Sequence, residues 1–380
     1  MGQLDIGIIG TSNKDGDLRR PIHPLHFDRV DDAIRRHLYV EHGYGEHFGV
    51  TDDRIAPLVA GMRTRDELIA ETDVILLPKP THADVEQLRE GQVLWGWPHC
   101  VQDEHVTQMA IDRRLTMIAW EAMNHWSSEG AFSLHVFHKN NELAGYCSVL
   151  HALQELGRTG HYGPRMRAVV ISFGATARGA VTALYGLGVT DVTVLTQRDT
   201  TRVAYPIPGV LYGQFERVAP GSPSTVALKS TGPVPTAQFL AGFDIIVNCV
   251  LQDPTSPLLF VDADEVDLFD PGTLFVDVSC DEGMGFYFAR PTSFVEPMFG
   301  VGRGAWCYGV DHSPSYLWNA ATWEISEALI PYLGVVTEGP SAWDANATIS
   351  RAIEVRQGQI VNPLILQFQG RDANYPHRRR

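Results

Sequence analysis

Apolar residues in the first third of the chain fall in short compact runs, separated by polar stretches with helical spacing. The runs at 4–9, 74–77, 93–97 and 117–120 predict buried parallel strands, and the segments 25–37, 65–71, 83–89 and 103–113 predict helices between them. Residues 139–157 predict a long helix, with Leu143, Tyr146, Leu150 and Leu153 on one face; Gly157, Gly160 and Gly163-Pro164 then break the chain. A second series follows, with strands at 168–171, 192–195, 245–247 and 274–278. The stretch 200–235, rich in Pro, Gly, Ser and Thr, is expected to be a long irregular excursion carrying one or two strands. Residues 320–333 predict a strong helix around Trp323, Ile325, Leu329 and Ile330, and 347–356 predict another. Strands separated by helices in two series imply an α/β protein with two mostly parallel, doubly wound sheets.

Composition narrows the function. At 380 residues, two domains are expected. No run of about 18 apolar residues is present, so a membrane span is not expected. The N-terminus has no basic segment followed by an apolar core and reads as a first strand rather than a signal peptide. A net charge of −15 argues against a nucleic-acid partner. The basic cluster His377-Arg378-Arg379-Arg380 is expected to be a frayed, solvated tail. Cys100, Cys147, Cys249, Cys280 and Cys307 are scattered and odd in number, which fits reduced thiols in a cytoplasmic protein and carries no zinc spacing. The pair His135 and His138 lacks a third ligand, so no metal is assigned.

The chemistry-bearing motif is Ser172-Phe-Gly174-Ala-Thr-Ala177, directly after the strand 168–171 and before a helix expected at 177–187. In a dinucleotide fold the first small residue permits the tight turn, Gly174 admits the pyrophosphate to the backbone, and Ala177 allows close packing of helix on strand. Ala175 and Thr176 in the turn are counted with the cofactor-binding set, and the following helix N-terminus faces the phosphates with its free N–H groups. Ser172 stands where the usual pattern has glycine. The second strand ends about twenty residues beyond Gly174, where an acid would hold the ribose 2′-OH of NAD. The chain has Leu195-Thr196-Gln197-Arg198 there. Thr196 and Arg198 can hold a 2′-phosphate, which favours NADP(H) over NAD(H); in the other reading Arg198 is solvated and Asp199 takes the ribose. Val250 and His312 are counted with the cofactor-binding set.

Further segments carry a resemblance. These are Lys14-x4-Arg19-x4-Pro24, Pro78-Lys79-Pro80, His99 after the strand 93–97, Ile118-Ala-Trp-Glu121, Gly174-Ala-Thr-Ala-Arg-Gly179, Val276-Asp-Val-Ser-Cys-Asp281 and Val310-Asp-His-Ser-Pro314. In order and spacing the chain resembles the alanine dehydrogenase and pyridine-nucleotide transhydrogenase superfamily over nearly its whole length. Within it the chain is most similar to N5-(carboxyethyl)ornithine synthase, an opine-forming relative, with lysine-forming saccharopine dehydrogenase a further cousin. The resemblance implies a Rossmann-like cofactor domain at 141–317, inserted in a discontinuous substrate domain at 1–140 and 318–380, with a cleft between them and a homo-oligomeric assembly. The stretch 200–235 and the whole chain are longer than in the synthase, where specificity can change.

The resemblance implies that Arg19, Lys79, His99 and Asp281 are catalytic. Arg19 would clamp a 2-keto acid carboxylate bidentately; Arg20 beside it has the same chemistry, and the spacing to Pro24 selects Arg19. Lys79 would polarise the carbonyl oxygen. His99 would be the general acid/base, and Asp281 would orient ligand or lysine near the nicotinamide. Glu121 either binds the incoming amine or satisfies backbone N–H groups. Asp277 reads as structural. The expected reaction is opine-type: an amine attacks the keto acid, His99 assists water loss to an imine, and hydride from the cofactor reduces it. Alternatives are alanine-dehydrogenase-like reductive amination with ammonia, and a catalytically silent nucleotide-binding protein. The expected partners are small keto acids and amines.

Overall fold

The computed structural model describes residues 2–253 and 255–379. The chain divides into two compact units, one formed by Met1–His138 with Trp318–Arg380 and the other by Lys139–Leu317.

The first unit is built on an eight-stranded sheet. Its strands are β1 (Ile6–Ile8), β2 (Leu38–Glu41), β3 (Gly61–Arg63), β4 (Val74–Leu76), β5 (Val93–Gly96) and β6 (Thr116–Ala119), with β20 (Ile353–Arg356) and β21 (Gln359–Ile360) from the C-terminal segment. The order is β21-β20-β6-β5-β4-β1-β2-β3, parallel from β3 to β6. The six parallel strands thus run 3-2-1-4-5-6, the doubly wound arrangement, whose ligand site lies beyond the strand C-termini where the winding reverses, here between β1 and β4. Continuous apolar runs such as Val74-Ile-Leu-Leu77 suit strands covered on both faces, and Val74, Ile75, Leu76 and Leu94 are buried. A short hairpin, β7 (Asn124–Trp126) with β8 (Phe132–His135), completes the unit's strands. The helix Trp318–Glu338 packs Ile325, Leu329, Leu333 and Val336 into the same core.

The second unit repeats the winding. Its strands are β9 (Arg167–Ile171), β10 (Asp191–Thr196), β11 (Leu211–Arg217), β12 (Thr225–Lys229), β13 (Gly232–Pro235), β14 (Ile245–Asn248), β16 (Leu274–Asp277), β18 (Met298–Val301) and β19 (Ala305–Tyr308), in the order β13-β12-β11-β10-β9-β14-β16-β19-β18. The six from β11 to β19 are parallel, and β15 (Leu259–Val261) pairs with β17 (Gly285–Phe286) in a small separate sheet. The reversal here lies between β9 and β14. The helices His138–Glu155 and Ala175–Gly186 approach each other through glycines: a Cβ on Gly179 would sit 1.8 Å from the Glu142 carbonyl oxygen, and one on Gly145 1.9 Å from that of Thr176. Close packing at this helix therefore depends on Gly179 as well as on the buried Ala177.

Four expectations are corrected. The stretch 200–235 is not an irregular excursion: β11 extends the parallel sheet beside β10, and β12 and β13 fold back antiparallel on it. Its Pro, Gly and Ser residues cluster in the turns, as at Pro220-Gly-Ser-Pro223, leaving alternating segments to pair. Residues 347–356 are a helix only over Ala347–Ala352, capped by Asn346; Ile353 and Val355 then alternate with polar residues and pair antiparallel with β6. Residues 25–37 split into a 3-10 turn, Pro24–Arg29, and a short helix, Asp32–Arg35, because Asp31 caps a new start through Ala33 N–H. The C-terminal cluster is not frayed: His377 is buried and accepts the Ile360 N–H at 3.1 Å, and Arg379 pairs with Glu104 at 2.5 Å. Arg380 lies outside the described residues.

Candidate active site

In the first unit, the expected substrate residues lie beyond C-terminal strand ends on both sides of the winding reversal. Arg19 follows β1 by ten residues of loop, Lys79 follows β4, and His99 follows β5. Arg19 is buried, and its Nε and Nη2 bond bidentately to Asp17 at 2.9 and 2.7 Å, with the guanidinium 5.2 Å above the Trp97 ring. Trp97 stands edge-on to Trp120, which stacks on Phe137, so the arginine rests on a rigid aromatic floor. Asp17 thus fixes Arg19 and leaves its Nη1 edge for an anion. Arg20 is also buried. Its backbone N–H donates to Thr322 Oγ1 at 2.9 Å, while its Nε is sealed without a hydrogen-bond partner, and burial lowers its pKa. Being sealed, that Nε is not presented to an incoming carboxylate, whereas Arg19 beside it is held by Asp17.

Lys79 sits half-buried between two prolines, and its charge favours the ionised form of Glu121. His99 adopts a left-handed backbone, φ 51°, a conformation rare for a residue with a side chain. Its N–H donates to Glu121 Oε1 at 2.8 Å, and its Nδ1 lies 3.7 Å from the same oxygen. The imidazole is 45% exposed, open to a substrate. Glu121 therefore does satisfy a backbone N–H, that of His99. Its Oε2 is sealed without a partner, and its pKa is pushed well up by burial and then by the neighbouring Glu354 carboxylate.

In the second unit, Ser172 follows β9 directly with φ 88°, the left-handed geometry that the first glycine of a dinucleotide turn supplies. Gly174 caps the helix Ala175–Gly186 with no side-chain hydrogen bond, and a Cβ placed on it would meet nothing within 4 Å. Open space over an uncapped helix N-terminus of twelve residues suits a pyrophosphate, so Gly174, Ala175, Thr176 and Ala177 fit the role expected of them. At the end of β10, Thr196 is buried and its Oγ1 accepts the Arg198 N–H at 3.2 Å, while Arg198 is exposed. Asp199 Oδ1 accepts from Thr201 N and Oγ1 at 2.9 and 2.8 Å, a local cap that lowers its pKa. Arg178, one turn into the helix, stacks 4.2 Å over Phe173 and donates to the carbonyls of Ala204 and Tyr205 at 2.6 and 2.9 Å. Sequence reasoning gave it no role.

Beyond β14, the Val250 N–H donates to Asn248 Oδ1 at 3.2 Å, and Ser279 donates to the Val250 carbonyl. Asp277, at the end of β16, is fully buried and accepts from Asn248 Nδ2 at 2.9 Å; burial pushes its pKa up to about 7. Asp281 is pushed up to about 6, also by burial. His312 is buried with Nδ1 2.7 Å from Asp311, against the Phe294 ring. Among the described residues no group of three or more His, Cys, Asp or Glu side chains is set to hold a metal ion, and no helix is long and apolar enough to cross a membrane.

Comparison with known proteins accounts for both units. The family model for the alanine dehydrogenase/PNT C-terminal domain matches residues 164–363, and that for the N-terminal domain matches 13–144. Alanine dehydrogenase of Mycobacterium tuberculosis H37Rv is 25% identical over 373 residues, covering 93% of this chain and 94% of its own. That of Mycolicibacterium smegmatis is 24% identical over 381 residues, covering 94% and 95%. Among solved structures, an L-alanine dehydrogenase superposes with a TM-score of 0.72 at 19% identity, over 96% of this chain and 99% of that one. A transhydrogenase from Sinorhizobium meliloti gives 0.70 at 18%, over 94% and 99%. These structural likenesses show the fold.

Proposed function

Because the chain belongs to the alanine dehydrogenase/PNT family, we propose that it reductively aminates a 2-keto acid, forming an imine and reducing its carbon to give an amino acid. The chain is a nicotinamide-dependent oxidoreductase acting on CH–NH2 groups. The observation that supports the finer reading is the set of cationic and titratable groups beyond the C-terminal ends of β1, β4 and β5 in the first unit: Arg19 fixed by Asp17, Lys79, and His99 held by Glu121.

In this reading, the Arg19 Nη1 edge holds the keto acid carboxylate, and Lys79 stabilises charge on the carbonyl oxygen as the amine adds. His99 takes a proton from the adding amine and returns one to the departing hydroxyl, so that water leaves. Ser172–Ala177 would hold the pyrophosphate of a nicotinamide dinucleotide, which when bound would supply the hydride. Asp281 lies near the nicotinamide ribose in this reading, and Val250 and His312 border the cofactor. Thr196 and Arg198 accept a 2′-phosphate, which makes NADP(H) the preferred form; support comes from Asp199, whose Oδ1 is committed to capping Thr201.

Ammonia is the amino donor best supported, because the relatives matched over nearly their full length are named alanine dehydrogenases. A second reading, opine-type condensation with an amino acid side chain, is favoured by Gly174-Ala-Thr-Ala-Arg-Gly179 and Val310-Asp-His-Ser-Pro314, which resemble N5-(carboxyethyl)ornithine synthase. The test is a screen of 2-keto acids against ammonia, ornithine and lysine with NADPH and NADH, recording product masses. Ammonia-dependent formation of the simple amino acid supports the first reading, a secondary amine the second. Cofactor binding without turnover of any pair defeats both.

A further inference from the structure

The parallel strands β10 and β11 are joined by a loop, residues 197–210, that runs along the helix Ala175–Gly186. Towards the loop's far end, Tyr185 Oη donates to the Pro208 carbonyl at 3.2 Å, and the Ile207 N–H donates to Tyr212 Oη on β11 at 2.7 Å. Val203 and Ile207 pack against the unit's core. Where the helix begins, the fastening is Arg178. Its Nη2 donates to the Ala204 carbonyl at 2.6 Å and its Nη1 to that of Tyr205 at 2.9 Å, while the guanidinium lies 4.2 Å over the ring of Phe173, the residue before Gly174. One side chain thus touches both the glycine turn and the loop after β10, the segments that in a doubly wound fold receive the pyrophosphate and the adenosine ribose. We propose that Arg178 is a positioning residue for the coenzyme, clasping this loop onto the glycine turn in the arrangement that receives the adenosine end.

The helix itself gives no reason for a cation here, because the positive end of its dipole disfavours one near the N-terminus. The contacts supply the reason. Two successive carbonyls on one planar fork are an arrangement that a guanidinium can hold and an ammonium cannot. Tyr205 is left-handed at φ 51° and precedes Pro206, where extended backbone is the rule, so its conformation persists only where its surroundings fix it. The clasp also closes a ring of contacts. Arg178 holds Tyr205; two residues on, Ile207 is held by Tyr212; and the Tyr212 ring stands edge-on to Phe173 at 5.2 Å, under the same guanidinium. Turn, helix, loop and β11 are thereby set relative to one another before any coenzyme arrives. Without the clasp the loop samples other arrangements, and apparent affinity falls with the fraction that remains competent.

This rests on the glycine turn binding a nicotinamide coenzyme, and its test needs no turnover. Hydrogen exchange and coenzyme titration are followed on the full-length protein. Arg178→Gln and Arg178→Lys should each leave Tm within about 2 °C, as befits a half-buried side chain outside the core. In the coenzyme-free protein both should speed exchange of the bonded amides of Val203 and Ile207. Both should weaken whichever of NADPH and NADH binds tighter by about 10-fold, the value for a loop that is competent about a tenth of the time. Wild-type affinity in Arg178→Lys alone would make the residue a charge for phosphate and not a clasp. Wild-type affinity in both variants would leave the loop no part in binding; either result overturns the proposal. If neither variant folds, exchange in the wild-type protein decides: bound coenzyme should slow it at Val203 and Ile207, and unchanged exchange there refutes the clasp. Wild-type protein that binds neither coenzyme defeats the reading of the glycine turn itself, and the proposal with it.

Discussion

Gly174→Ala separates cofactor binding from folding. Gly174 has φ −93° and ψ −166°, extended backbone open to any residue, and an added Cβ meets no protein atom within 4 Å. The fold therefore loses only the small difference between glycine and alanine at a helix N-cap, less than about 1 kcal/mol, or under about 4 °C in Tm for a unit of this size. The same methyl stands where a pyrophosphate must approach the helix N–H groups. Losing one charge-assisted contact there costs about 1.5–3 kcal/mol, which is about 10–150-fold in Kd. Titrating NADPH by its fluorescence, with Tm recorded alongside, gives both numbers. Gly179→Ala is the contrasting control: its Cβ would fall 1.8 Å from the Glu142 carbonyl, so it should lower Tm far more than Gly174→Ala does. Unchanged NADPH affinity in folded Gly174→Ala would refute the placement of the phosphates.

Three further outcomes are expected. Ser172→Gly relieves the left-handed backbone at φ 88° and should stabilise the second unit by about 1 kcal/mol, seen as a higher Tm; a lower Tm would show that the serine side chain contributes more than its strain costs. Asp277 has its pKa raised to about 7, above its unfolded value, so the folded state holds its proton more tightly and stability falls as pH rises from about 4 towards 7. Asp277→Asn should remove that loss, raising Tm more at pH 8 than at pH 4; an equal effect at both would contradict it. Arg198→Ala should weaken NADPH by about 5–10-fold, the modest value of an exposed charge contact, and leave NADH within about twofold; equal loss for both would assign Arg198 no part in selecting the cofactor.

Legibility followed the buried strands. The runs beginning at Val74, Val93 and Ile245 are continuous and apolar because both sheet faces are covered, and they were readable to within a residue or two. The glycine turn was readable because strand, turn and helix each leave a residue signature. β2 and β3 were missed because neither is a continuous apolar run: β2 ends on Glu41, and β3, Gly61-Met-Arg63, is nowhere fully buried. The segment 211–235 was hidden by its turn residues, and 353–356 by an adjoining helix of similar composition. Pairing that depends on distant chain leaves no local mark, so the antiparallel pairing of β20 with β6 had no signal at all. Arg178 was visible in Ala-Thr-Ala-Arg-Gly, yet its contacts with Phe173, Ala204 and Tyr205 require the folded loop.

The most direct test of the central claim follows the hydride. Protein supplied with a 2-keto acid, ammonia and nicotinamide cofactor deuterated at C4 should yield an amino acid carrying a single deuterium at its α-carbon, and Arg19→Ala, Lys79→Ala and His99→Asn should each suppress it. Oxidised cofactor without labelled product, or labelled product undiminished in all three variants, would contradict the account.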